Sequence, residues 1–418
     1  MSEKFIEIMS PVGSYETLMA AIQGGAGSVY FGVGNLNMRS RSTQNFTLDD
    51  LKQIVNVCED KGIRSYLTLN TIIYDTEQDE MRRLVDAARE AGVSAIIASD
   101  PAVLLYARSI GAEIHISTQC NVTNVEAVKW YAQFADVMVL SRELNLKQVK
   151  HISEEIHRQN IVGPSGNPVQ IEVFVHGALC MAISGKCYLS LHTMNSSANR
   201  GACLQPCRRA YEVTDKETGI QLEIDNEYIM SPKDLCTIDI LDQILDAGAT
   251  VLKIEGRGRS PEYVKTVTRV YHESVQAIQQ GNYDRKRVEA WLERLKTVYN
   301  RGFWEGYYLG RRLGEWSSVY GSQATQRKQY LGKVTNYYSK IGVAEVKLET
   351  GDLKPGMQYS INGPTTGVVD GRVEEVRLTY EPVALAPKGS ICSFRVSGPV
   401  REGDKVFIII DIDPVNGQ

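Results

Sequence analysis

Apolar runs rich in β-branched residues alternate along the chain with segments whose apolar residues recur at helical spacing. The runs lie at 5–9, 28–33, 65–70, 95–99, 113–117, 137–141, 172–176 and 251–255, and stretches between them, such as 48–61, 77–91 and 146–159, carry their charges on the opposite face. Strand–helix–strand repetition predicts a parallel sheet with crossover helices, and eight such units predict a closed (β/α)8 TIM-like barrel of the α/β class. Active sites of that fold sit at the C-terminal ends of the strands. There this chain places Ser10, Arg39, Arg41, Asn70, Asp100, Thr118, Gln119, Arg142, Glu143, His176, Glu255 and Arg257. Strand-to-helix loops are polar in any case and supply helix caps, which accounts equally well for any one of these residues.

Two segments depart from the rhythm. The seventh connection, from 176 to 251, runs to more than 70 residues, and a connection of that length usually has a function of its own. Beyond 326 the pattern changes to short strands separated by turn signals, LKPG at 353–356, NGP at 362–364, DG at 370–371 and EGD at 402–404, which predicts a small antiparallel β-barrel. The expected organisation is a barrel domain over 1–325 with an inserted lobe at about 178–236, followed by a C-terminal β-barrel domain over 326–418. A chain of 418 residues accommodates two or three domains. The aromatic, glycine-punctuated stretch YNRGFWEGYYLG at 299–310 is expected to pack at the domain junction.

Chemistry concentrates in the long connection. Five of the eight cysteines lie there, Cys180, Cys187, Cys203, Cys207 and Cys236, with six, fifteen, three and twenty-eight residues between successive members. Gathered thiols mean a metal site, a redox site or a disulfide knot. The sequence opens MSEKFIEIMSPVG, with no basic segment leading into an apolar run, so no secretory signal and a cytoplasmic location are expected. No window approaches the roughly 18 apolar residues of a membrane span, and the mean hydropathy is −0.23. In a reducing cytosol clustered thiols more often bind metal or react than form disulfides. Zinc knuckles pair ligands two to four residues apart, and only Cys203 and Cys207 are so placed. An iron–sulfur cluster tolerates scattered ligands. A cysteine nucleophile beside His176 or His192 is a further reading, yet one nucleophile leaves four thiols unexplained. Neither a Gly-x-Ser-x-Gly elbow nor a His-Glu-x-x-His helix occurs. Cys58, Cys120 and Cys392 stand alone and suit small buried hydrophobes. A net charge of −4 argues against coating nucleic acid through bulk charge. Locally the balance reverses: the segment 179–213 holds Lys186, Arg200, Arg208 and Arg209 against Glu212 alone.

The run EVFVHGALCMAISGKCYLS at 172–190, continued by NRGACLQPCR at 199–208, MSPKDLC at 230–236, LKIEGR at 252–257 and NRGF at 300–303, resembles the signature of the collagenase-like peptidases, family thirty-two of the peptidases of unknown catalytic type. The resemblance extends over the barrel. It implies hydroxylation more than proteolysis, because members of the family resemble oxygen-independent hydroxylases or their accessory proteins. These act on the wobble uridine of tRNA, on a cytidine of large-subunit ribosomal RNA, or on ubiquinone precursors. The barrel-plus-tail layout is most similar to the tRNA-directed branch, and the tail looks like the second domain of translation factors. The resemblance therefore implies a tRNA uridine 5-hydroxylase with a [4Fe-4S] cluster and prephenate as hydroxyl source, tRNA as partner, no membrane, and room for a partner protein. A collagenase-like peptidase, or a cluster protein acting on ribosomal RNA or a ubiquinone precursor, is the alternative. The family's ligand pattern carries over to Cys180, Cys187, Cys203 and Cys236, with Cys207 as an alternative ligand. Carboxylates of prephenate call for cations of fork geometry, for which Arg39, Arg41, Arg142, Arg200 and Arg257 are the candidates. No catalytic residue is assigned, and His176, Lys253 and Glu255 are the candidates. Lys253, Arg257, Arg259, Lys265 and Arg269, with the basic lobe, are expected to position an RNA backbone.

Overall fold

Eight parallel strands close into a barrel in the order the alternation predicts. In this computed structural model residues 5–40, 46–209, 211, 213–214, 216–219, 221–222, 230–310, 315–317 and 321–412 are described. The first seven strands are β1 (Glu7–Pro11), β2 (Ser28–Phe31), β3 (Arg64–Leu69), β4 (Ala95–Ala98), β5 (Ile114–Ile116), β6 (Val137–Val139) and β7 (Gln170–Gly177). The insertion after β7 contributes a short hairpin of β8 (Val213–Thr214) and β9 (Gln221–Leu222), then β10 (Asp234–Cys236). The eighth barrel strand, β11 (Val251–Ile254), pairs in parallel with both β1 and β7 and so closes the ring. At the mouth β10 extends the sheet, antiparallel to the end of β7 and paired with β12 (Phe303–Trp304). Crossovers are made by α1 (Tyr15–Gly24), α2 (Asp50–Asp60), α3 (Gln78–Ala91), α4 (Pro101–Ser109), α5 (Val125–Tyr131) and α6 (Leu146–Arg158). A short α7 (Leu189–Met194) lies in the insertion, α8 (Leu241–Asp246) precedes β11, and α9 (Pro261–Gln279) and α10 (Arg285–Lys296) follow it.

Local chemistry sets the helix ends. Ser14 and Thr17 form a reciprocal capping box at the start of α1, and Gly25 stops that helix in the left-handed region. Asp100 is one of the strand-end polar residues, and its role is structural: it caps α4 by accepting from Ala102 N at 2.8 Å and accepts from Ile73 N at 3.0 Å. Inside the barrel, Met9, Tyr30, Tyr66, Ala95, Ile97, Val137 and Val251 form one apolar cluster. The outward faces of the strands pack against the helices in a larger core.

The C-terminal segment folds as an antiparallel eight-stranded sheet with its own core. Its strands are β13 (Gln326–Tyr338), β14 (Val343–Leu348), β15 (Gln358–Gly363), β16 (Gly367–Arg372), β17 (Val376–Leu378), β18 (Glu381–Val383), β19 (Ile391–Arg395) and β20 (Lys405–Asp411), in the order β16-β15-β20-β13-β14-β19-β17-β18. Val334, Val346, Leu348, Ile361, Phe394 and Val406 lie in that core. The sheet docks on α1 and α9, where Gln23 accepts from Val368 N and donates to Thr366 O at 3.0 and 2.9 Å. Among the described residues no helix is long and apolar enough to cross a membrane.

Candidate active site at the barrel mouth

A cavity of about 160 Å³ occupies the C-terminal end of the barrel, between the strand ends and the inserted lobe. Tyr30, Thr68, Ile97, Phe174 and Lys253 reach it from the strands, and Cys180, Cys187, Cys203 and Cys207 reach it from the lobe. Arg39, Arg142, Arg208, Lys253 and Arg257 are its cations and Glu255 its single acid. Five cations around one carboxylate give it an excess of positive charge.

Glu255 organises the floor. Arg39 Nη2 donates to its Oε1 at 2.6 Å, and Tyr30 OH lies 3.3 Å from its Oε2. Burial alone pushes the Glu255 carboxyl upward, but Arg39, Arg142 and Arg257 more than offset this and hold it at about 2. Arg257 is buried, donates to Thr68 Oγ1 at 2.9 Å, and is pushed down to about 10 by that burial. Room for its guanidinium comes from Gly32, where a Cβ would stand 2.5 Å from Arg257 Nη1. Arg142 stacks over the Phe174 ring at 3.7 Å and donates through Nη1 to Ala178 O at 3.1 Å. Its buried Nε has no hydrogen-bond partner, which leaves a donor available. Lys253 Nζ pairs with the buried Glu172 at 2.7 Å, and behind that pair lies His115, whose Nδ1 is 3.7 Å from Glu172 Oε2. Burial pushes the His115 pKa down, but a hydrogen bond to Glu113 and the nearby Glu172 carboxylate hold it above its ordinary value.

Arginines fix the lobe, Arg208 within itself and Arg200 to the barrel. Arg208 Nη2 donates to Leu179 O at 2.6 Å and its Nη1 to Pro232 O at 2.8 Å, tying the Cys207 turn to the segment that carries Cys180. Arg200 binds Glu77 and Ile72 O and lies 4.3 Å over the Tyr74 ring. Burial raises the Cys203 and Cys207 thiols, while Arg39 and Arg208 respectively work against that rise. Metal ligation requires thiolates, so those guanidinium groups favour the ligating form.

The structure thus brings together Cys180, Cys187, Cys203, Cys207, Arg39, Arg142, Arg257, Lys253 and Glu255. It does not bring His176, Arg200 or Cys236 to the cavity, and Arg41 lies outside the described residues. Arg200 is spent on its latch to Glu77. His176 is turned away by a bulge: Lys253 pairs with Phe174 but Ile254 pairs with His176, so the extra residue Val175 moves His176 to the outward face of the sheet. There it is enclosed by Tyr263, Tyr271 and Phe303, and burial pushes its pKa down to about 3. Cys236, opposite His176 on β10, is buried beside Tyr271 and its thiol is pushed up to about 12. Of the residues expected to position RNA, Lys265 and Arg269 lie at the junction with the C-terminal sheet, on Asp370 and on Gln23 O. The aromatic stretch divides: Tyr299 lies at that junction, in the cleft facing the C-terminal sheet, whereas the rest packs beneath the mouth, where Tyr308 OH donates to Phe174 O at 2.7 Å and Trp304 Nε1 to Lys233 O at 3.2 Å. Arg208 was expected only as one of the lobe's basic residues and not as a cavity cation, and Gly32 carried no expectation. Arg208 sits within the recognised motif, whereas nothing local marks Gly32 as the bed of a side chain 225 positions away.

No three His, Cys, Asp or Glu side chains among the described residues stand at metal-ligand spacing. The donors nonetheless fit an iron–sulfur cluster in kind and place, as four thiols on one cavity.

The model of Peptidase family U32 matches residues 13–318. Over 407 residues the chain is 57% identical to a protein of Porphyromonas gingivalis named "Collagenase", covering 97% of this chain and 98% of that one. It is 32% identical to "tRNA hydroxylation protein P1" of Bacillus subtilis, over 79% of this chain and 77% of the other. It is also 32% identical to "23S rRNA 5-hydroxycytidine C2501 synthase" of Escherichia coli, over 75% of this chain and 47% of the other.

Proposed function

This chain belongs to Peptidase family U32, and from that premise we propose that it is an RNA-modifying enzyme that hydroxylates the wobble uridine of tRNA to 5-hydroxyuridine without oxygen. The observation that carries the reading is the cavity itself, which sets four thiols and five cations around one carboxylate at the catalytic end of a barrel. Relatives named for tRNA hydroxylation and for ribosomal hydroxycytidine synthesis support a nucleic-acid base as the target.

Cys180, Cys187, Cys203 and Cys207 would hold a [4Fe-4S] cluster, which supplies electron-transfer chemistry when bound. Arg142, with its unpartnered Nε, and Arg39 and Arg257 would receive the two carboxylates of prephenate, because guanidinium forks match carboxylates in pairs. Glu255 orients Arg39 by a direct ion pair, and the three guanidinium groups together hold it ionised. Lys253 is held on the floor by its ion pair to Glu172, with His115 behind it. A uridine reaching this cavity must leave its stack, and the lobe and Phe174 exclude water around it.

The 57% identical relative named for collagenase favours a second reading as a peptidase. Among the described residues Ser117, Ser184, Ser190 and the four thiols line the cavity but no histidine does, so a hydroxyl or thiol nucleophile has no imidazole base beside it. Nucleoside mass spectrometry of tRNA from a strain lacking the gene separates the two, with loss of 5-hydroxyuridine derivatives expected. Intact modification in a host without a second copy, together with gelatin cleavage by the purified protein, would overturn the hydroxylase reading. Purified anaerobically, the protein should carry about four irons and absorb broadly near about 400 nm. Serine at Cys180, Cys187, Cys203 or Cys207 should abolish both, and serine at Cys58 or Cys236 neither. Loss at Cys236 with retention at Cys207 would move the ligand set to Cys180, Cys187, Cys203 and Cys236.

A further inference from the structure

We propose that the cleft between the barrel and the C-terminal sheet is the track for the sugar–phosphate backbone of the RNA substrate. This deepens the RNA reading above and rests on it. The cleft has a volume of about 650 Å³ and lies between α9, the end of α10 and the strands β13, β15 and β16. Its cations are Lys265, Arg269, Arg294, Arg327, Lys328 and Arg372, and its acids are Glu262 and Asp370. Six cations to two acids reverse the sign of a chain whose net charge is −4. Both acids are already engaged, Glu262 by Lys328 at 2.9 Å and Asp370 by Lys265. Arg294 is paired with Glu273, and Arg269 donates to Gln23 O at 3.0 Å. Arg327 and Arg372 are exposed and make no ion pair or side-chain hydrogen bond among the described residues. Two uncommitted guanidinium groups, presented by strands β13 and β16 towards a helix that carries further cations, form a spread row and not a point. A row suits a polyanion better than a small anion, which needs its donors to converge.

Position favours RNA over an acidic peptide. The cleft and the mouth cavity are joined by one short stretch of chain. Glu255 and Arg257 line the cavity, Arg259 lies 3.5 Å over the Tyr299 ring, and Ser260, like Tyr299, lines the cleft. A strand with one base in the cavity would find the cleft lining beginning three positions along the chain from Arg257, at Ser260.

The test is fluorescence anisotropy of the full-length protein with a labelled tRNA anticodon stem-loop, titrated from about 50 to about 200 mM KCl. The R327A/R372A double variant should bind about tenfold more weakly near 100 mM salt, and its log–log salt slope should fall by roughly two. A K354A/K388A variant, which removes the same charge from exposed positions outside the cleft lining, should bind as the wild type does. Wild-type affinity and slope in R327A/R372A, or an equal loss in K354A/K388A, would overturn the cleft assignment while leaving the RNA reading intact. Absence of any RNA binding by the wild type would overturn both. Competition by polyglutamate that is lost only in R327A/R372A, with RNA binding unchanged, would give the cleft to an acidic peptide.

Discussion

At the scale of single residues the site turns on Glu255. A carboxylate enclosed by Arg39, Arg142 and Arg257 is worth more to the folded state than to the unfolded chain, and its pKa of about 2 records that difference. A depressed folded-state pKa gives stabilisation that is present above the ordinary carboxylate pKa and lost as pH falls from about 4.5 through about 2, amounting to about 3 kcal/mol. Glu255→Gln should accordingly be less stable than the wild type at pH 7 in urea unfolding. The gap should narrow as pH is lowered, because the protonated wild-type side chain comes to resemble glutamine. A gap that stayed constant down to pH 3 would show that the variant loses packing and not charge. These cationic partners were legible beforehand as polar residues at strand ends, since barrel geometry sends such positions to one place. Arg200, a candidate because it lies in the inserted lobe, is held elsewhere. Which acid an arginine meets depends on loop paths, here the turn bearing Glu77, that no local pattern encodes.

At the scale of elements, β7 explains the largest difference between the expected and observed site. Its apolar run reads as a simple strand, and alternation alone sends Glu172, Phe174 and His176 to the same face. Glu172 and Phe174 do face the lumen, but the bulge at Val175 inverts the parity for His176. A one-residue irregularity leaves no trace in hydrophobic periodicity, so a candidate base became a buried aromatic neighbour. Cys236 follows, because β10 pairs with this inverted end of the strand. The thiols of the CxxxC pair were legible as a group, but not which of the five face the cavity. Gly177 makes the exit from the bulge. Its φ is +104°, and a Cβ there would stand 2.4 Å from Glu255 O. Gly177→Ala should therefore destabilise the protein by about 2 to 4 kcal/mol, read from the urea midpoint at unchanged slope. Iron content should fall in parallel, since the same turn aims Cys180. A variant within about 0.5 kcal/mol of the wild type would mean that the strand end relaxes freely and does not fix the lobe.

At the scale of the whole molecule, the eight strands and the change of pattern beyond 326 were visible because each is a repeated local signal. The joint between the barrel and the C-terminal sheet was not, since it is made by side chains hundreds of positions apart. Gln23 closes both hydrogen-bonding positions of the Thr366–Val368 turn, and Gly367 must be bare there because a Cβ would stand 2.7 Å from Gln23 Oε1. Glu262, in the first turn of α9, accepts from Asn362 Nδ2 at 2.6 Å and from Lys328, and those partners hold its carboxyl below the usual range even though burial works the other way. Few apolar side chains cross this joint compared with the cores on either side, so its cooperativity depends on these polar anchors. Removing an acceptor leaves a buried donor unsatisfied, at about 1 to 3 kcal/mol each. The wild type should melt in one calorimetric transition. In Gln23→Ala/Glu262→Ala the C-terminal sheet should uncouple and give a second, earlier transition, with cysteine-dependent absorbance following only the later one. A single transition within about one degree of the wild type would show instead that the two cores are coupled through the chain at 321–326 and not through Gln23 and Glu262.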